Sequence, residues 1–589
     1  MDMKKQITKE ELVNDAVNIY KRERKKNPKF ILYRDNYSKF SKYKRADLSK
    51  HFGSYKDFII EVESFFKPTR EDIINDAKQI YSKGLEKNKN FVLKRDYYVK
   101  TGVYSKNQIE EEFGTFTDLL NIVKEEMGIK DEEGLTREDF NIVKDESSKG
   151  DERKYFITSA IVGSEISMPF LKSIKTYCKH NKAELIILVM RGISKKDIFL
   201  PHVLKEIEDY ICTEIKFNEN LQAKDFKLSP MMMKPLTGIA RIGSKETNLI
   251  VASPKQQVES VAVSNRTLPH ISFTTGTLST PEYTNDRIGV LGEQDNIIGG
   301  LIVEIRDEEI FHLRMVGADK KGCFYDLDNY YTQDSVKKST IEAFVMGDLH
   351  SGSEDESAIN AWKDCIKLTK PKYVIMHDVM DNASINPHEE KNIVYNANLP
   401  EFAKTLENEL NLLGDTLNQW TSEFNKTQFV ITKGNHCIWL TKYLEQGKYA
   451  RQEQAHNHRF ALSLAPYVLD GKNPIAEYIN KKFKIKNIKF LEVDDDFKIK
   501  KQQLGYHGHR GSNSGKSSAA GLELSQGMGI FGHTHSCSVL RGVMIVGTST
   551  KLKLAYNKDG ASSWTHSSAL LYPSGHKTLI ISIKGKWKI

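Results

Sequence analysis

The stretch EAFVMGDLH, from Glu342 to His350, places an apolar run directly before two polar residues, Asp348 and His350. The run has the length and composition of a buried strand, so the two polar residues stand where that strand ends. In α/β proteins, side chains presented beyond the carboxyl ends of sheet strands build functional sites. The stretch therefore predicts a sheet strand with Asp348 and His350 at the functional edge of the sheet.

Four later segments show the same arrangement of an apolar run followed by polar residues. They are YVIMHDVMDN with Asp378, QFVITKGNH with Asn435 and His436, LGYHGH with His507 and His509, and GMGIFGHTH with His533 and His535. Histidine is also concentrated here, since 12 of the 17 histidines lie between His350 and His576. One such histidine alone would be interpreted as a hydrogen-bonded core residue, but five segments in order predict one shared site.

The side chains in these segments indicate a metal site. Asp, His and Asn offer oxygen and imidazole donors without thiolate, which suits Mn²⁺, Fe or Zn²⁺ better than a structural zinc site or Ca²⁺. A carboxylate between two groups of further ligands can bridge two metals about 3.5–4 Å apart. That is the arrangement for in-line displacement at phosphorus, so the segments predict a two-metal phosphoesterase site.

The order D-x-H, Asp, GNH, H and GHxH resembles the calcineurin-like metallophosphoesterase superfamily over about residues 340–585. The resemblance implies a double β-sandwich flanked by helices and two divalent metal ions, with Mn²⁺ favoured over Fe or Zn²⁺. It also implies that His436 stabilises or protonates the leaving oxygen while a metal-bridging hydroxide attacks the phosphorus. The implied ligands are Asp348, His350, Asp378 and His535 for one ion, and Asp378, Asn435, His507 and His533 for the other.

The chain departs from the superfamily pattern at three positions. His377 replaces the glycine of the GDxxD motif, Cys437 follows GNH where an acid is usual, and Asn382 replaces the arginine of phosphoprotein phosphatases. The last departure argues against the phosphatase branch, and the catalytic part looks more like nucleases of the SbcD type. An acid such as Asp381 is expected to orient His436 in place of the missing one. The residues predicted to contact the ligands or the substrate are Asp381, His377, His509 and Arg510.

Two polar segments near these motifs keep two interpretations each. The loop GSNSGKSS, Gly511 to Ser518, is one residue too short for a nucleotide-binding P-loop, since Arg510 stands where the first glycine must be. The loop either contacts a substrate phosphate or is a solvent-exposed connection. Likewise RQEQAHNHRF, Arg451 to Phe460, either lines a substrate channel or is a surface helix.

The N-terminal region repeats itself at a constant offset of 61 residues, for example at Phe30 and Phe91 or at Phe52 and Phe113. The pattern resembles small helical repeats, related to helix-turn-helix modules, that accompany homing and phage nucleases and bind DNA. A helical scaffold or protein-contact array is the competing interpretation. Residues 1–62 hold 16 Lys/Arg against 9 Asp/Glu, which favours DNA. The predicted phosphate contacts are Lys21, Arg22, Arg24, Lys25 and Lys26.

These observations predict an α+β multidomain protein with all-helical N-terminal repeats. With 28% charged residues, no apolar run long enough to span a membrane and six cysteines without a CxxC pair, it is expected to be cytoplasmic. A homo-oligomer is also expected. The predicted segments are residues 1–62 (helical repeat 1), 63–130 (helical repeat 2), 131–154 (charged linker), 155–335 (central α/β region of unknown role) and 336–589 (metallophosphoesterase catalytic domain).

The function predicted from the whole chain is a two-metal-dependent DNA nuclease, because a phosphodiester-cleaving site and a basic repeat together imply a polymeric substrate. The chain loosely resembles early DNA-degradation nucleases of tailed phages, which would place it in the host cytoplasm. The competing enzymatic function is that of a small-molecule or cyclic-nucleotide phosphodiesterase or phosphatase. Two non-enzymatic functions also stay open: a DNA-binding host-interaction protein with a degenerate metal site, and a structural protein whose repeats are assembly contacts.

Overall fold

The protein folds into two compact units, Met1–Glu133 and Gly134–Ile589. A computed structural model describes residues 7–27, 30–34, 37–87, 91, 93, 95–129, 135–150, 152–193, 198–239, 247–264, 268–493, 495–554 and 557–589. The first unit is helical over its described residues and the second is mixed, so the predicted α+β multidomain class is confirmed. None of the helices in the described part of the chain is long and apolar enough to cross a membrane.

The first unit contains two four-helix repeats. Helices α5, α7 and α8 begin 61 residues after α1, α3 and α4, which is the offset seen in the sequence. Both repeats open with a capped helix, because the Glu11 N–H donates to Thr8 Oγ1 and the Asp72 N–H donates to Thr69 Oγ1, each at 3.2 Å. The helices are α1 (Lys9–Arg24), α2 (Tyr37–Phe40), α3 (Arg45–Leu48), α4 (Tyr55–Ser64), α5 (Arg70–Lys87), α6 (Arg95–Thr101), α7 (Lys106–Phe113) and α8 (Phe116–Glu126).

Each repeat encloses its own hydrophobic core. The buried positions recur at the same offset, as with Tyr20 and Tyr81 or Leu32 and Leu93. Apolar residues three and four apart on a helix lie on one face, which is why a repeated sequence gives a repeated core. Most of the repeated aromatic residues are therefore core residues and are not available to a ligand.

The helices of the second unit cover its sheets from outside. They are α9 (Met168–Asn181), α10 (Pro201–Ile207), α11 (Arg287–Gln294), α12 (Glu356–Thr369), α13 (Ile393–Ala397), α14 (Leu406–Glu423), α15 (Asn435–Glu445), α16 (Ala455–Leu469), α17 (Pro474–Phe483) and α18 (Ala519–Gln526).

The strands of the second unit form three larger sheets and two small ones. They are β1 (Val143–Asp145), β2 (Arg153–Ile161), β3 (Glu165–Ile166), β4 (Glu184–Met190), β5 (Ile211–Cys212), β6 (Glu214–Asn218), β7 (Leu221–Lys224), β8 (Asn248–Val251), β9 (Gln257–Ser260), β10 (Ile271–Thr274), β11 (Ser279–Thr280), β12 (Gly299–Ile305), β13 (Phe311–Gly317), β14 (Phe324–Asp326), β15 (Asn329–Tyr331), β16 (Val336–Lys338), β17 (Ala343–Val345), β18 (Tyr373–Met376), β19 (Gln428–Ile431), β20 (Ile488–Phe490), β21 (Lys498–Ile499), β22 (Gln502–Gln503), β23 (Gly529–Phe531), β24 (Ser538–Leu540), β25 (Val543–Ile545), β26 (Ser567–Leu571) and β27 (Lys577–Ile581).

A six-stranded sheet in the order β20-β19-β18-β17-β26-β27 positions the first three site segments. Strands β17, β18, β19 and β20 pair in parallel, with Val345 opposite Ile375 and Ile375 opposite Val430. Their carboxyl ends therefore lie at one edge of the sheet. Asp348, Asp378 and Asn435 follow β17, β18 and β19 at that edge.

The faces of this sheet pack against different partners. Ala343 and Val345 belong to a core shared with strands β23, β24 and β25 of another sheet. Phe344 lies on the opposite face, in a core that contains apolar residues of helices α12 and α14. Successive residues of a strand point to opposite faces, so one short strand contributes to both cores.

An eleven-stranded sheet joins the central and C-terminal parts of the chain. Its order is β1-β6-β7-β8-β10-β9-β24-β25-β23-β22-β21, and β9 pairs antiparallel with β24, with Val258 opposite Val539. The five-stranded sheet β13-β12-β2-β4-β5 contacts the six-stranded sheet, since Thr578 Oγ1 donates to the Met315 carbonyl at 2.9 Å. The eleven-stranded sheet and a common core thus join residues 155–335 to residues 336–589. Strand β1 lies in the predicted linker, residues 131–154, and belongs to the eleven-stranded sheet.

We expect residues 1–133 to fold without the second unit, because both repeat cores are closed by residues of the first unit. The fragment should show a helical circular dichroism spectrum and a cooperative thermal transition. Phe58→Ala, at a fully buried core position, should lower the free energy of unfolding by about 3–5 kcal/mol. Phe65→Ala is the matched control, because this ring is 63% exposed, and it should change the free energy of unfolding little. An unfolded fragment would contradict the prediction.

Candidate metal centre

The structure brings together the side chains from the five strand-end segments. Asp348 Oδ2 lies 3.0 Å from His535 Nε2, and His350 Nε2 lies 3.3 Å from the same nitrogen. Asp378 Oδ2 lies 3.3 Å from His507 Nε2. Although these residues are up to 187 positions apart in the chain, their donor atoms converge on one buried region.

Asn435 completes the second side of this cluster. Its Oδ1 lies 3.2 Å from His507 Nε2 and 3.0 Å from His533 Nδ1. The seven residues predicted as ligands therefore lie in one connected cluster, which we call the metal centre. Its members are Asp348, His350, Asp378, Asn435, His507, His533 and His535.

Asp348 occupies a more central place than the sequence indicated. It belongs both to the ligand group with His350 and His535 and to the group with Asp378 and His507, in each of which the donor atoms lie within 4.8 Å of one another. The family resemblance implied that Asp378 holds the shared position. Asp348 thus has donor atoms within reach of both halves of the cluster, while the bridging role of Asp378 stays a prediction.

The donor spacing fits a divalent cation. Ligands about 2.1 Å from one ion lie roughly 3.0–3.4 Å from each other in octahedral or tetrahedral arrangements, close to the spacing seen here. Asp378 Oδ1 is in addition buried without a hydrogen-bond partner among the described residues. An isolated buried carboxylate oxygen is strongly unfavourable unless a positive charge compensates it. The buried Asp and His groups can therefore hold a metal ion.

The carboxylates of the cluster are held in the charged form. Burial by itself would raise the pKa of Asp348, but His507 and His535 beside it keep that pKa well below its usual range. Burial acts in the same direction on Asp378, and the neighbouring charge of His507 again outweighs it. Ionised carboxylates are the form that binds cations.

The histidines divide into two groups by their pKa. Burial lowers the pKa of His350, but its contact with Asp381 outweighs burial and raises the pKa to about 9. Burial lowers the pKa of His533 to about 4, because no carboxylate near this ring offsets the effect of burial to the same extent. His350 is therefore protonated near neutral pH in the absence of a cation, whereas His533 is already neutral.

Four members of the metal centre have a left-handed backbone conformation. The φ angles are 44° at His350, 39° at Asp378, 80° at His533 and 57° at His535. This conformation costs a residue other than glycine about 1–2 kcal/mol. Such strain is found mainly where function requires a side chain in a fixed place, and here it aims the side chains at the ends of the strands into one cluster.

Two glycines leave room for the carboxylates. A Cβ atom on Gly434, in the GNH motif, would overlap the Asp378 carboxylate, and one on Gly532, in the GHTH motif, would overlap the Asp348 carboxylate. Neither glycine has a positive φ, so the reason for glycine is space and not backbone conformation. The packing of the metal centre therefore requires glycine at these two motif positions.

His436 is positioned beside the metal centre by Asp381 and Trp439. Its Nδ1 lies 2.8 Å from the Asp381 carbonyl oxygen and 3.2 Å from Asp381 Oδ1, and its ring stacks on Trp439 at 3.9 Å. Asp381 thus supplies the carboxylate that Cys437 does not. Burial raises the pKa of the Cys437 thiol to about 12, so this side chain is neutral and cannot replace an acid.

The remaining predicted site residues differ in their surroundings. His377 lies behind the ligands, where its Nδ1 is 2.9 Å from Thr432 Oγ1 and burial lowers its pKa to about 4. His509 faces the rings of His507 and His533 at 5.6 and 6.1 Å. Arg510 is exposed, and its backbone pairs with Lys516 across the GSNSGKSS loop.

The predicted DNA contacts lie in the first unit, at the end of α1. Lys21, Arg22, Lys25 and Lys26 are exposed, with Arg22 and Lys26 flanking Glu23 at 2.8 and 3.6 Å. Arg24 instead lies over the rings of Tyr20 and Phe66, at 4.5 and 5.2 Å. Arg24 therefore packs on its own repeat, and the other four carry the exposed charge.

Sequence reasoning missed three residues that support the metal centre. Trp439 had a usable signal, since it stands three residues after His436 on helix α15 and so shares its face. Trp564 contacts His535 with ring centroids 4.2 Å apart, and no local pattern links the two. Glu409 accepts hydrogen bonds from the N–H groups of Ala383 and Ser384, at 2.7 and 3.0 Å, and so fixes the turn that follows Asp381.

We expect Gly532→Ala to weaken metal binding about 10- to 100-fold, because the added methyl group displaces the Asp348 carboxylate. Titration calorimetry with Mn²⁺ would measure the affinity. Gly150→Ala is the matched control, since its Cβ would meet open space. Equal affinity in the two variants would contradict the geometry.

We expect the affinity for a divalent cation to rise with pH up to about pH 9. The His350 pKa of about 9 means that this ring must lose a proton when a cation binds at neutral pH. For one displaced proton, the apparent affinity should rise about tenfold per pH unit. Calorimetry in buffers of different ionisation enthalpy would detect the released proton, and an affinity independent of pH would contradict this assignment.

Comparison with known proteins finds a similarity to a phage protein. The chain is 28% identical over 467 residues to protein A1 of Escherichia phage T5, and the alignment covers 74% of this chain and 83% of that protein. No family model and no solved structure matches the chain. The chain is thus similar, over most of its length, to a phage protein.

Proposed function

We propose that this protein is a metal-dependent phosphodiesterase that cleaves DNA, with the catalytic site in the second unit and a DNA-binding surface in the first. The observation that carries the proposal is the buried metal centre, where ligands from five strand-end segments converge beside His436. A structural metal site does not need a hydrogen-bonded histidine at its edge. A phosphoesterase can use one, because the leaving oxygen must receive a proton and a positioned histidine can supply it.

The fold supports membership of the metallophosphoesterase superfamily. The six-stranded and eleven-stranded sheets share a core, helices cover the outer face of the six-stranded sheet, and α18 covers part of the eleven-stranded sheet. This arrangement agrees with a double β-sandwich flanked by helices. The parallel strands deliver the ligands to one sheet edge, as the proposed chemistry requires.

Two divalent cations fit this donor set, with Mn²⁺ favoured over Fe or Zn²⁺ because the ligands are oxygen and imidazole groups. When bound, they supply neutralisation of the phosphate charge and activation of a water molecule. The residues that would hold them are Asp348, His350, Asp378 and His535 for one ion, and Asp378, Asn435, His507 and His533 for the other.

His436 is suited to act on the leaving group. Asp381 lies against Nδ1, so the ring is held with Nε2 directed away from that carboxylate. A fixed Nδ1 contact determines which nitrogen carries the mobile proton. Stacking on Trp439 keeps the ring plane in place while Nε2 protonates or stabilises the leaving oxygen.

The first unit favours a polymeric substrate over a small molecule. Its exposed Lys21, Arg22, Lys25 and Lys26 form a cationic surface at one helix end, which suits a phosphate backbone. The similarity to a phage protein over most of the chain supports a role in phage infection, in the host cytoplasm. DNA is therefore the substrate that accounts for both units.

We expect Asp378→Ala and His436→Ala to reduce Mn²⁺-dependent DNA cleavage by about 100-fold or more, because each removes a group that the reaction uses. Linear and circular duplex and single-stranded DNA would be compared, and the circular substrates separate endonuclease from exonuclease action. His202→Ala is the matched control, since its side chain is 60% exposed and pairs with Glu165.

Two results would overturn this function. If the wild type and both variants were equally active, the cleavage would not come from this site. If the wild type hydrolysed a small phosphodiester but no DNA, the protein would be a phosphodiesterase for small molecules, and the first unit would serve another purpose.

A further inference from the structure

A cavity of about 500 Å³ lies in the second unit, and its lining includes Trp564, whose ring contacts His535 of the metal centre. Its walls come from the start of α12, the segment after β25, the approach to β26 and the end of β27. The residues that matter for its chemistry are Trp564, Lys551, Lys553, Leu552, Ile581 and Ile583. Sequence motifs pointed to none of them, and we call this space the Trp564 cavity.

One wall of the Trp564 cavity contacts the metal centre, and another is linked to Asp381, the residue that positions His436. The Trp564 ring meets the His535 ring edge to face, at 4.2 Å and 69°. On the other wall, the Lys551 N–H donates to the Ser353 carbonyl at 3.0 Å, and Ser353 Oγ lies 3.4 Å from Asp381 Oδ2. The Trp564 side chain therefore lies between the cavity and His535, so the cavity is one side chain away from the metal centre.

The lining combines one aromatic face, an apolar floor and a cationic rim. Trp564 is half-buried, and Leu552, Ile581 and Ile583 provide aliphatic surface. Lys551 and Lys553 are exposed, and neither has an ion-pair partner among the described residues. A flat apolar group with an attached anion matches such a lining.

The other charged groups at the cavity are already engaged. Lys584 pairs with Glu309 at 2.7 Å. Asp355 caps helix α12, since its Oδ1 accepts the Ser357 N–H at 3.0 Å. The net charge available to a ligand is therefore positive and comes from Lys551 and Lys553.

We propose that the Trp564 cavity binds the nucleotide that neighbours the scissile phosphate in a single-stranded segment of the substrate. The base stacks on Trp564, and the backbone phosphate contacts Lys551 and Lys553. A base in a duplex is already stacked and paired, so it enters only from single-stranded or frayed DNA. The inference rests on the proposed nuclease function and specifies its substrate as single-stranded at the point of cleavage.

A larger cavity, of about 1140 Å³, offers a matched comparison. Lys391 and Lys404 line it, together with Arg451. Arg451 pairs with Glu390, and Lys404 lies 2.5 Å from Glu401, so its cations are largely compensated. It is therefore less suited to a polyanion, and its two lysines serve as controls.

The test compares Trp564→Ala, Lys551→Ala/Lys553→Ala and the control Lys391→Ala/Lys404→Ala in the full-length protein. Cleavage of a single-stranded oligonucleotide and hydrolysis of bis(p-nitrophenyl) phosphate would be measured with Mn²⁺. We expect both cavity variants to lose about tenfold or more in kcat/KM on the oligonucleotide, and the double lysine variant to keep its activity on the small diester. The double lysine variant should also reduce the salt dependence of oligonucleotide binding, with the log–log slope falling by about 1.

Each remaining outcome decides against the inference or against the function. The inference is overturned if the wild type cleaves DNA and both cavity variants cleave it with the same kcat/KM as the wild type or the control variant. Because Trp564 contacts His535, the double lysine variant decides when Trp564→Ala also loses the small diester, and an equal loss on both substrates by the lysine variant overturns the inference. If the wild type cleaves no DNA, the proposed function fails. Fluorescence anisotropy with a labelled oligonucleotide then decides whether the cavity binds a nucleotide. The inference is overturned if the wild type and the cavity variants bind the oligonucleotide equally, or if neither binds it.

Discussion

Two buried carboxylates, Asp348 and Asp378, set the conditions that the rest of the metal centre must meet. Moving an ion out of water costs several kcal/mol, so each carboxylate needs positive charge or hydrogen bonds around it. The His507 and His535 rings are the nearest side-chain partners, and the His533 N–H donates to the Asp348 carboxylate at 3.1 Å. The same requirement explains why Gly434 and Gly532 have no side chain, since a methyl group there would occupy the space of a carboxylate.

The six-stranded sheet brings these carboxylates and their partners together in one site. Parallel pairing of β17, β18 and β19 places three strand ends at one edge, and left-handed turns at His350 and Asp378 direct their side chains into the cluster. The turns are unfavourable for these residues and persist because the surrounding packing determines them. Strands of the central region extend the opposing sheet through the pair β9–β24, so the framework under the site is larger than the segment that supplies the ligands.

The surroundings of the metal centre point to a substrate with both flat and charged parts. Trp564 and Trp439 lie against His535 and His436, while Lys551 and Lys553 stand at the rim of the neighbouring cavity. Nucleic acid is the common biological molecule that combines stacked bases with regular phosphates. The exposed basic residues at the end of α1 have the same chemistry on a second, separate unit. Both units thus support, for independent reasons, the proposal that the substrate is a polynucleotide.

The sequence by itself determined the repeat of 61 residues, the strand ends that carry Asp348, Asp378 and Asn435, and the identity of the seven clustered side chains. These features depend on periodicity and on neighbours in the chain, which a linear pattern records. It also indicated that Asp381 can replace the acid missing at Cys437. Only the tertiary structure decided that Asp348 reaches both ligand groups, that Trp564 lies on His535, and that β9 pairs with β24. The physical reason is that apolar and charge patterns specify which face of an element is buried, but they do not specify which distant element covers it.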